Sequence, residues 1–393
     1  MGTNNETLVW NQLGIDLYGE AGGDKSGWSV SLSADSKTVA IGASGNNENG
    51  TDSGHVRVYN FNGTGWVQKG GNIIGEFADD QSGYSVSLND NGTIVAIGAI
   101  YNDGTGSNSG HVRVYNFNNG SWDQLGADID GEIAGDQSGY SVSLSDDGTT
   151  VAIGAKYNGG NGYSSGHVRV YELNDTNWVQ KGTDIDGEAV DDWSGSSVSL
   201  SADGTTVAIG ATGNDENGTN SGHVRVYNFN GTGWVQKGGN IDGKSEYDWS
   251  GWSVSLSENG TIVAIGAIIN DDSGTNSGHV RVYEFDGTDW SQLGMNISGE
   301  NAGDQSGTSV SLSVDGKTVA IGAIGIPNGS NSGHVRVYEF DGTGWSQLGM
   351  NISGENAGDQ SGYSVSLSAD GKTVAIGAIF NDNENGTGSG HVR

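Results

Sequence analysis

The chain has 393 residues, of which 71 are glycine, one is proline and 33% are apolar, so its core must be thin and repeated instead of thick and single. With 48 acidic against 16 basic residues the net charge is −32, which excludes nucleic acid as a natural partner and disfavours anionic membranes, since both need Lys and Arg clusters. There is no cysteine, hence no disulfide, thiol nucleophile or thiolate metal site. No apolar run of about 18 residues exists to span a membrane, and no signal peptide is legible after Met1.

The dominant feature is a repeat. The string SGHVR occurs seven times, with histidines at 55, 111, 167, 223, 279, 334 and 391, which are all the histidines of the chain. Trp-x-Gln and VAIGA also recur seven times, starting at Trp10 and Val39. A period near 56 residues points to a propeller, solenoid or array. Each repeat opens on SVSL, as in SVSLS at Ser29–Ser33, whose period-two alternation predicts a strand. A short turn follows, often Asp-Gly as at Asp203-Gly204, then a second strand TVAIGA with Val and Ile on one face and Ala and Gly on the other. After a variable polar loop comes a third strand, HVRVYNF. A second turn, often Asn-Gly or Asp-Gly, leads to a fourth strand, WVQKG. A long acidic loop leads to the next repeat, and no amphipathic helix is evident.

Four antiparallel strands in each of seven repeats predict an all-β, seven-bladed β-propeller forming one domain over residues 1–393. An open solenoid would need distinct capping repeats. Here the ends complement each other: the chain stops at Arg393 inside a third strand and begins with the missing fourth strand, around Leu8 to Leu13. That N-terminal strand is expected to complete the last blade and remove two sheet edges.

At SGYSVSLSADGKTVAIGA, residues 361–378, the pattern resembles the FG-GAP repeats of integrin α-subunit propellers and their relatives. Ser82-Gly83 stands for the family's Phe-Gly, and Gly98-Ala99 keeps Gly-Ala without the proline. The resemblance covers all seven repeats and implies a cell-surface or secreted binding protein, mostly not enzymatic. It also implies calcium in those blades that carry an Asp-rich cage between the first two strands. Here that connection is a short turn, such as Ala34-Asp35-Ser36-Lys37 with one carboxylate, whereas a hard cation takes six to eight oxygens. The family's calcium site is therefore expected to be absent. The loops at Asn46–Asp52 and Asn381–Gly386 resemble half of a calcium loop, and equally well solvated turns. No other cofactor or metal is expected.

The recurring His, Arg and Asp (Asp24 and its six equivalents) are read as scaffold, each Arg or His meeting an acidic or backbone acceptor. Asn-x-Ser/Thr sequons such as Asn62 and Asn91 read either as glycan acceptors or as turn chemistry. Function is sought where the repeat breaks. The residue after Ser-Gly begins the innermost strand and is aromatic in five repeats: Trp28, Tyr84, Tyr140, Trp252 and Tyr363. These rings could stack on a ligand at the channel mouth, or pack beneath the acidic loops. Trp193 and Trp249 stand where other repeats have Gln or Lys, and Tyr247 lies close by. The expectation is a monomeric, non-enzymatic extracellular module that recognises a protein or glycan through its acidic loop face. A lectin and a purely structural scaffold are the alternatives.

Overall fold

The computed structural model describes residues 8–325 and 331–393, so the start read after Met1 lies outside the described residues. Seven antiparallel sheets follow one another in chain order and close into a ring. Blade four shows the plan: Ser194–Leu200, Thr206–Ala211, His223–Phe229 and Trp234–Gln236 lie in that order from the axis outward. Ile241–Asp242 adds a two-residue fifth strand that pairs with the third beside the fourth. No element among the described residues is helical, and none is a helix long and apolar enough to cross a membrane.

The two-faced second strand explains why the repeats pack. In blade four Val207 and Ile209 join Ala152, Val168, Val170 and Ile185 of blade three, while Ala208 turns the other way into blade five's Val254, Leu256, Val263 and Ile265. Large side chains thus face the preceding blade and small ones the following blade, so every residue of Thr206–Ala211 is buried. The serines of SVSLS, polar by sequence, clip the blades together. Ser197 Oγ donates to the Gly251 carbonyl at 2.8 Å, and Ser199 Oγ accepts the Leu256 N–H at 2.9 Å. A half-buried polar position inside a sheet is tolerated because it is hydrogen-bonded.

The Trp of Trp-x-Gln is a third clip. Trp234 Nε1 donates to the Lys181 carbonyl at 2.7 Å, and the same bond recurs around the ring. Trp234→Phe keeps the apolar ring and leaves that carbonyl without its donor, so chemical denaturation should report a loss of about 1 kcal/mol. An unchanged midpoint would mean that the bond contributes nothing beyond packing.

Closure differs in detail from the sequence reading. The strand that joins His391–Val392 is Leu17–Tyr18, not Leu8–Leu13. The reason is register: Leu17–Tyr18 holds the place of the two-residue fifth strand, pairing with His391–Val392 as Ile241–Asp242 pairs with His223–Val224 in blade four. Residues 8–13 are nonetheless seated by Trp10 Nε1 on the Leu348 carbonyl (2.9 Å) and by Trp66 Nε1 on the Leu13 carbonyl (2.7 Å). The long loops before the first strand and after the second lie together on one face, joined by single parallel bridges such as Gly166 with Ser194. The opposite face carries tight turns closed by their own side chains: Asp203 Oδ1 accepts Ser201 Oγ at 2.7 Å, and Asn230 Oδ1 accepts Thr232 Oγ1 at 2.9 Å.

Candidate functional site at the channel mouth

The first strands surround the axis, so the residues after Ser-Gly meet there. Trp28, Tyr84, Tyr140, Ser196, Trp252, Thr308 and Tyr363 together line a cavity of about 190 Å³ on the loop face. Four of the aromatics form one continuous arc. Ring centroids are 4.9 Å apart for Tyr363–Trp28, 5.4 Å for Trp28–Tyr84 and 5.2 Å for Tyr84–Tyr140, with interplanar angles of 46° to 49°. Trp252 stands across from them between Ser196 and Thr308, so one half of the mouth is aromatic and the other half mostly small. Burial, together with the neighbouring tyrosines, pushes the Tyr84 and Tyr363 phenols above the usual range, keeping them neutral hydrogen-bonding groups.

The structure brings two of the three blade-four and blade-five aromatics to this site. Trp249 stacks on Trp252 with centroids 5.7 Å apart and planes 11° from parallel. Trp193 reaches the arc through Lys156. Tyr247 does not join: it is exposed and forms none of these contacts. Trp193 (φ 56°) and Trp249 (φ 55°) both have left-handed backbone, as do their equivalents Lys25, Gln81, Gln137, Gln305 and Gln360, so this conformation belongs to the repeat and not to the tryptophans.

Lys156 is the residue the sequence reading missed. It follows VAIGA, where the other six repeats have Ser44, Ile100, Thr212, Ile268, Ile324 and Ile379. Its Nζ lies 4.8 Å from the Tyr140 ring centroid, 4.9 Å from Trp193 and 5.3 Å from Tyr157. The side chain is buried, and burial pulls its pKa down to about 8, with no carboxylate acting against it. In a chain of net charge −32, an ammonium surrounded only by aromatic faces is a distinct chemical feature. The signal that marks it is a single charge at an otherwise uncharged repeat position.

The recurring polar residues hold blades together. Arg225 Nη2 donates to the Asp186 carbonyl at 2.7 Å, and Nη1 lies 3.6 Å from Glu188 Oε1 of the preceding loop. Asp192 Oδ2 accepts the Ala189 and Glu188 N–H groups at 2.8 and 3.0 Å. In the turn between the first two strands of blade one, Asp35 Oδ1 accepts Ser33 Oγ at 2.9 Å and the Lys37 N–H at 3.0 Å. In the polar loop Asn46 Oδ1 likewise accepts the Glu48 N–H at 2.9 Å.

The FG-GAP repeat family matches residues 19–59, 178–227, 242–283 and 353–392, in register with the blades. These matches and the seven-bladed ring together support an FG-GAP seven-bladed propeller. Its seven blades, four of which carry the match, share the one plan described above. No curated protein matches this chain in sequence. Among solved structures it is similar to "a putative 6-phosphogluconolactonase from Bacteroides uniformis", at 12% identity over 84% of this chain and 86% of that one, with a TM-score of 0.58. At that identity the likeness concerns the fold alone. It corrects one expectation all the same: the sequence reading took this chain for a non-enzyme, and a propeller of the same architecture bears an enzyme's name, so the fold gives no ground for excluding catalysis.

Proposed function

We propose that this FG-GAP propeller is an extracellular or cell-surface recognition module that holds a protein or glycan ligand on its loop face, with the channel mouth as the contact. The observation that carries the reading is Lys156, a buried ammonium held over Tyr140, Tyr157 and Trp193 without an acidic partner. Such a group is a ready counter-charge for a carboxylate, sulfate or phosphate on the ligand. The adjoining aromatic arc supplies apolar area around it, the arrangement expected of a contact centre. A lectin is the second reading. It is favoured by the parallel Trp249–Trp252 pair, which offers a flatter surface than the tilted arc. The extracellular setting is supported by the FG-GAP resemblance and by the acidic surface, which suits a soluble, exposed domain.

The test is a printed array of neutral and acidic glycans alongside a panel of acidic and neutral peptides, read for the natural chain, Lys156→Gln and Trp252→Ala. A ligand with an anionic group that loses at least tenfold in affinity with Lys156→Gln is the expected result. Neutral glycans lost only with Trp252→Ala would favour the lectin. Binding that neither substitution changes would overturn the channel mouth as the contact.

A further inference from the structure

A second set of residues, away from the channel mouth, repeats around the loop face. The His of each SGHVR is buried where its blade meets the preceding one, and carboxylates converge on it. In blade two His111 Nδ1 lies 3.9 Å from Glu76 Oε2 and 3.8 Å from Asp128 Oδ2. His111 is 1% exposed, and neither ring nitrogen has a hydrogen-bond partner. Blade three repeats the trio, with His167 Nδ1 3.8 Å from Glu132 Oε2 and 3.9 Å from Asp184 Oδ2. In each trio the three ligand atoms lie within 4.8 Å of one another. Such a triangle has a point roughly 2.2–2.5 Å from all three atoms, a few tenths of an ångström beyond Zn–N and Zn–O bonds of about 2.0–2.2 Å, a gap that small side-chain movements close.

The other blades show what these two lack. The position of Asp128 and Asp184 is Asn72, Asn240, Asn296 and Asn351 in blades one, four, five and six. In blade one the Asn72 amide donates to Glu48 Oε2 at 2.9 Å and Glu20 Oε2 at 3.3 Å, placing N–H groups on the oxygens that face His55. In blade four Asn240 donates to Glu216 Oε2 at 2.7 Å. Blade five goes further: Lys244 replaces the glutamate, and its ammonium lies 3.2 Å from Asp272 Oδ2, which His279 also faces at 3.2 Å. Blade seven has the same trio, Glu355, His391 and Asp16, but there the Tyr18 hydroxyl donates to Asp16 Oδ2 at 3.0 Å, the oxygen that faces His391 at 3.7 Å. Blades two and three have none of these fillers. Instead the glutamine of Trp-x-Gln, Gln124 or Gln180, donates to Oδ1 of the aspartate at 2.6 Å and leaves Oδ2 turned to the histidine. In blade three only the Asn158 amide approaches, 3.5 Å from Glu132 Oε2. Gly104 and Gly160 occupy the place of Glu48 in blade one. In blade two this leaves a cavity of about 500 Å³, lined by Glu76, Asp80, Asp103, Asp128 and Asp130, that reaches both carboxylates of the trio.

We infer that Glu76–His111–Asp128 and Glu132–His167–Asp184 are a matched pair of binding sites for a divalent first-row transition ion of the zinc class. One imidazole and two carboxylates suit such an ion better than calcium, which takes oxygen ligands only. Three protein ligands leave a coordination position for water or for a ligand group. The nearby Arg113, 3.5 Å from Glu76 Oε1, balances part of the charge without covering Oε2. Where the ion is excluded, a neutral amide, a lysine ammonium or, in blade seven, the Tyr18 hydroxyl stands in for it, so the repeat itself supplies the controls.

The experiment is a zinc titration of EDTA-stripped protein by calorimetry, with bound metal counted after gel filtration and histidine side-chain resonances followed by NMR. The expected result is two equivalents of zinc, with only the His111 and His167 signals of the seven histidines moving, and neither moving with calcium. Asp128→Asn and Asp184→Asn should each remove one equivalent. Both should still fold, because the chain already uses Asn at this position in four blades; far-UV circular dichroism and a thermal melt check this. No zinc retained at about 0.1 mM, or zinc bound in undiminished amount by the doubly substituted protein, would overturn the inference. Many weak equivalents with unmoved His111 and His167 signals would mean only the acidic surface, and would overturn it as well.

Discussion

Gly195→Ala should lower the stability of the propeller by at least about 3 kcal/mol, enough to cost most of the folded protein at physiological temperature if the blades unfold together. Two causes add. Gly195 has a φ of +87°, in the left-handed region, where an L side chain costs roughly 1–2 kcal/mol. A Cβ there would also stand 2.6 Å from the His167 carbonyl oxygen and 3.0 Å from Gly154 Cα, both of the preceding blade, and both atoms are backbone that cannot swing aside. Gly135→Ala separates the two causes, since φ is +89° there with nothing within 4 Å of the added atom. Urea denaturation of the two variants is the measurement. If Gly195→Ala loses no more than Gly135→Ala, the close approach of the inner strands does not limit blade packing.

Lys156→Ile should raise stability near pH 7 while abolishing recognition of an anionic ligand. The lysine's pKa is lowered by burial to about 8, against about 10.4 in an unfolded chain. Below pH 8 both states are protonated and the folded state carries the whole cost of a buried charge. As pH rises from about 8 to above 10, the folded state sheds its proton first and that cost disappears. The shift alone would be worth about 3 kcal/mol, and the contact with three aromatic faces is already part of the balance, so a net gain of roughly 1–3 kcal/mol is expected. Isoleucine already stands at this position in Ile100, Ile268, Ile324 and Ile379, so the apolar side chain has a precedent in the same fold. The difference between the variant and the natural chain, followed by thermal melts from pH 6 to 11, should shrink as pH rises. A variant less stable at pH 7, or a difference independent of pH, would show that Lys156 is not under strain. Residues that lower stability where no packing need requires them are the usual mark of a site kept for function.

The two readings of the loop face do not compete. The aromatic mouth sits on the axis, and the His–carboxylate trios lie farther out, where blades meet. Both depend on departures from the repeat: Lys156 in place of an apolar or hydroxyl residue, and Asp128 and Asp184 in place of asparagine.

The sequence by itself determined the ring. Period-two strands, turn residues at fixed offsets and a 56-residue spacing are local properties, repeated seven times, and they leave one architecture that buries every VAIGA strand on both faces. It also placed Trp28, Tyr84, Tyr140, Trp252 and Tyr363 at the mouth, because an innermost strand must start there. Only the tertiary structure decided the rest. Closure by Leu17–Tyr18 in place of Leu8–Leu13 is a matter of register, since the N-terminal segment pairs through the fifth-strand position that Ile241–Asp242 fills in blade four. Tyr247 and Trp249 are two residues apart, yet one points to solvent and the other onto Trp252. The significance of Lys156 lies in the absence of a carboxylate around it, which no local pattern reveals. The trio of Glu76, His111 and Asp128 joins residues up to 52 positions apart from two blades. Sequence spacing identifies such residues as recurring; only the packing of one sheet on the next sets the distances that give them chemistry.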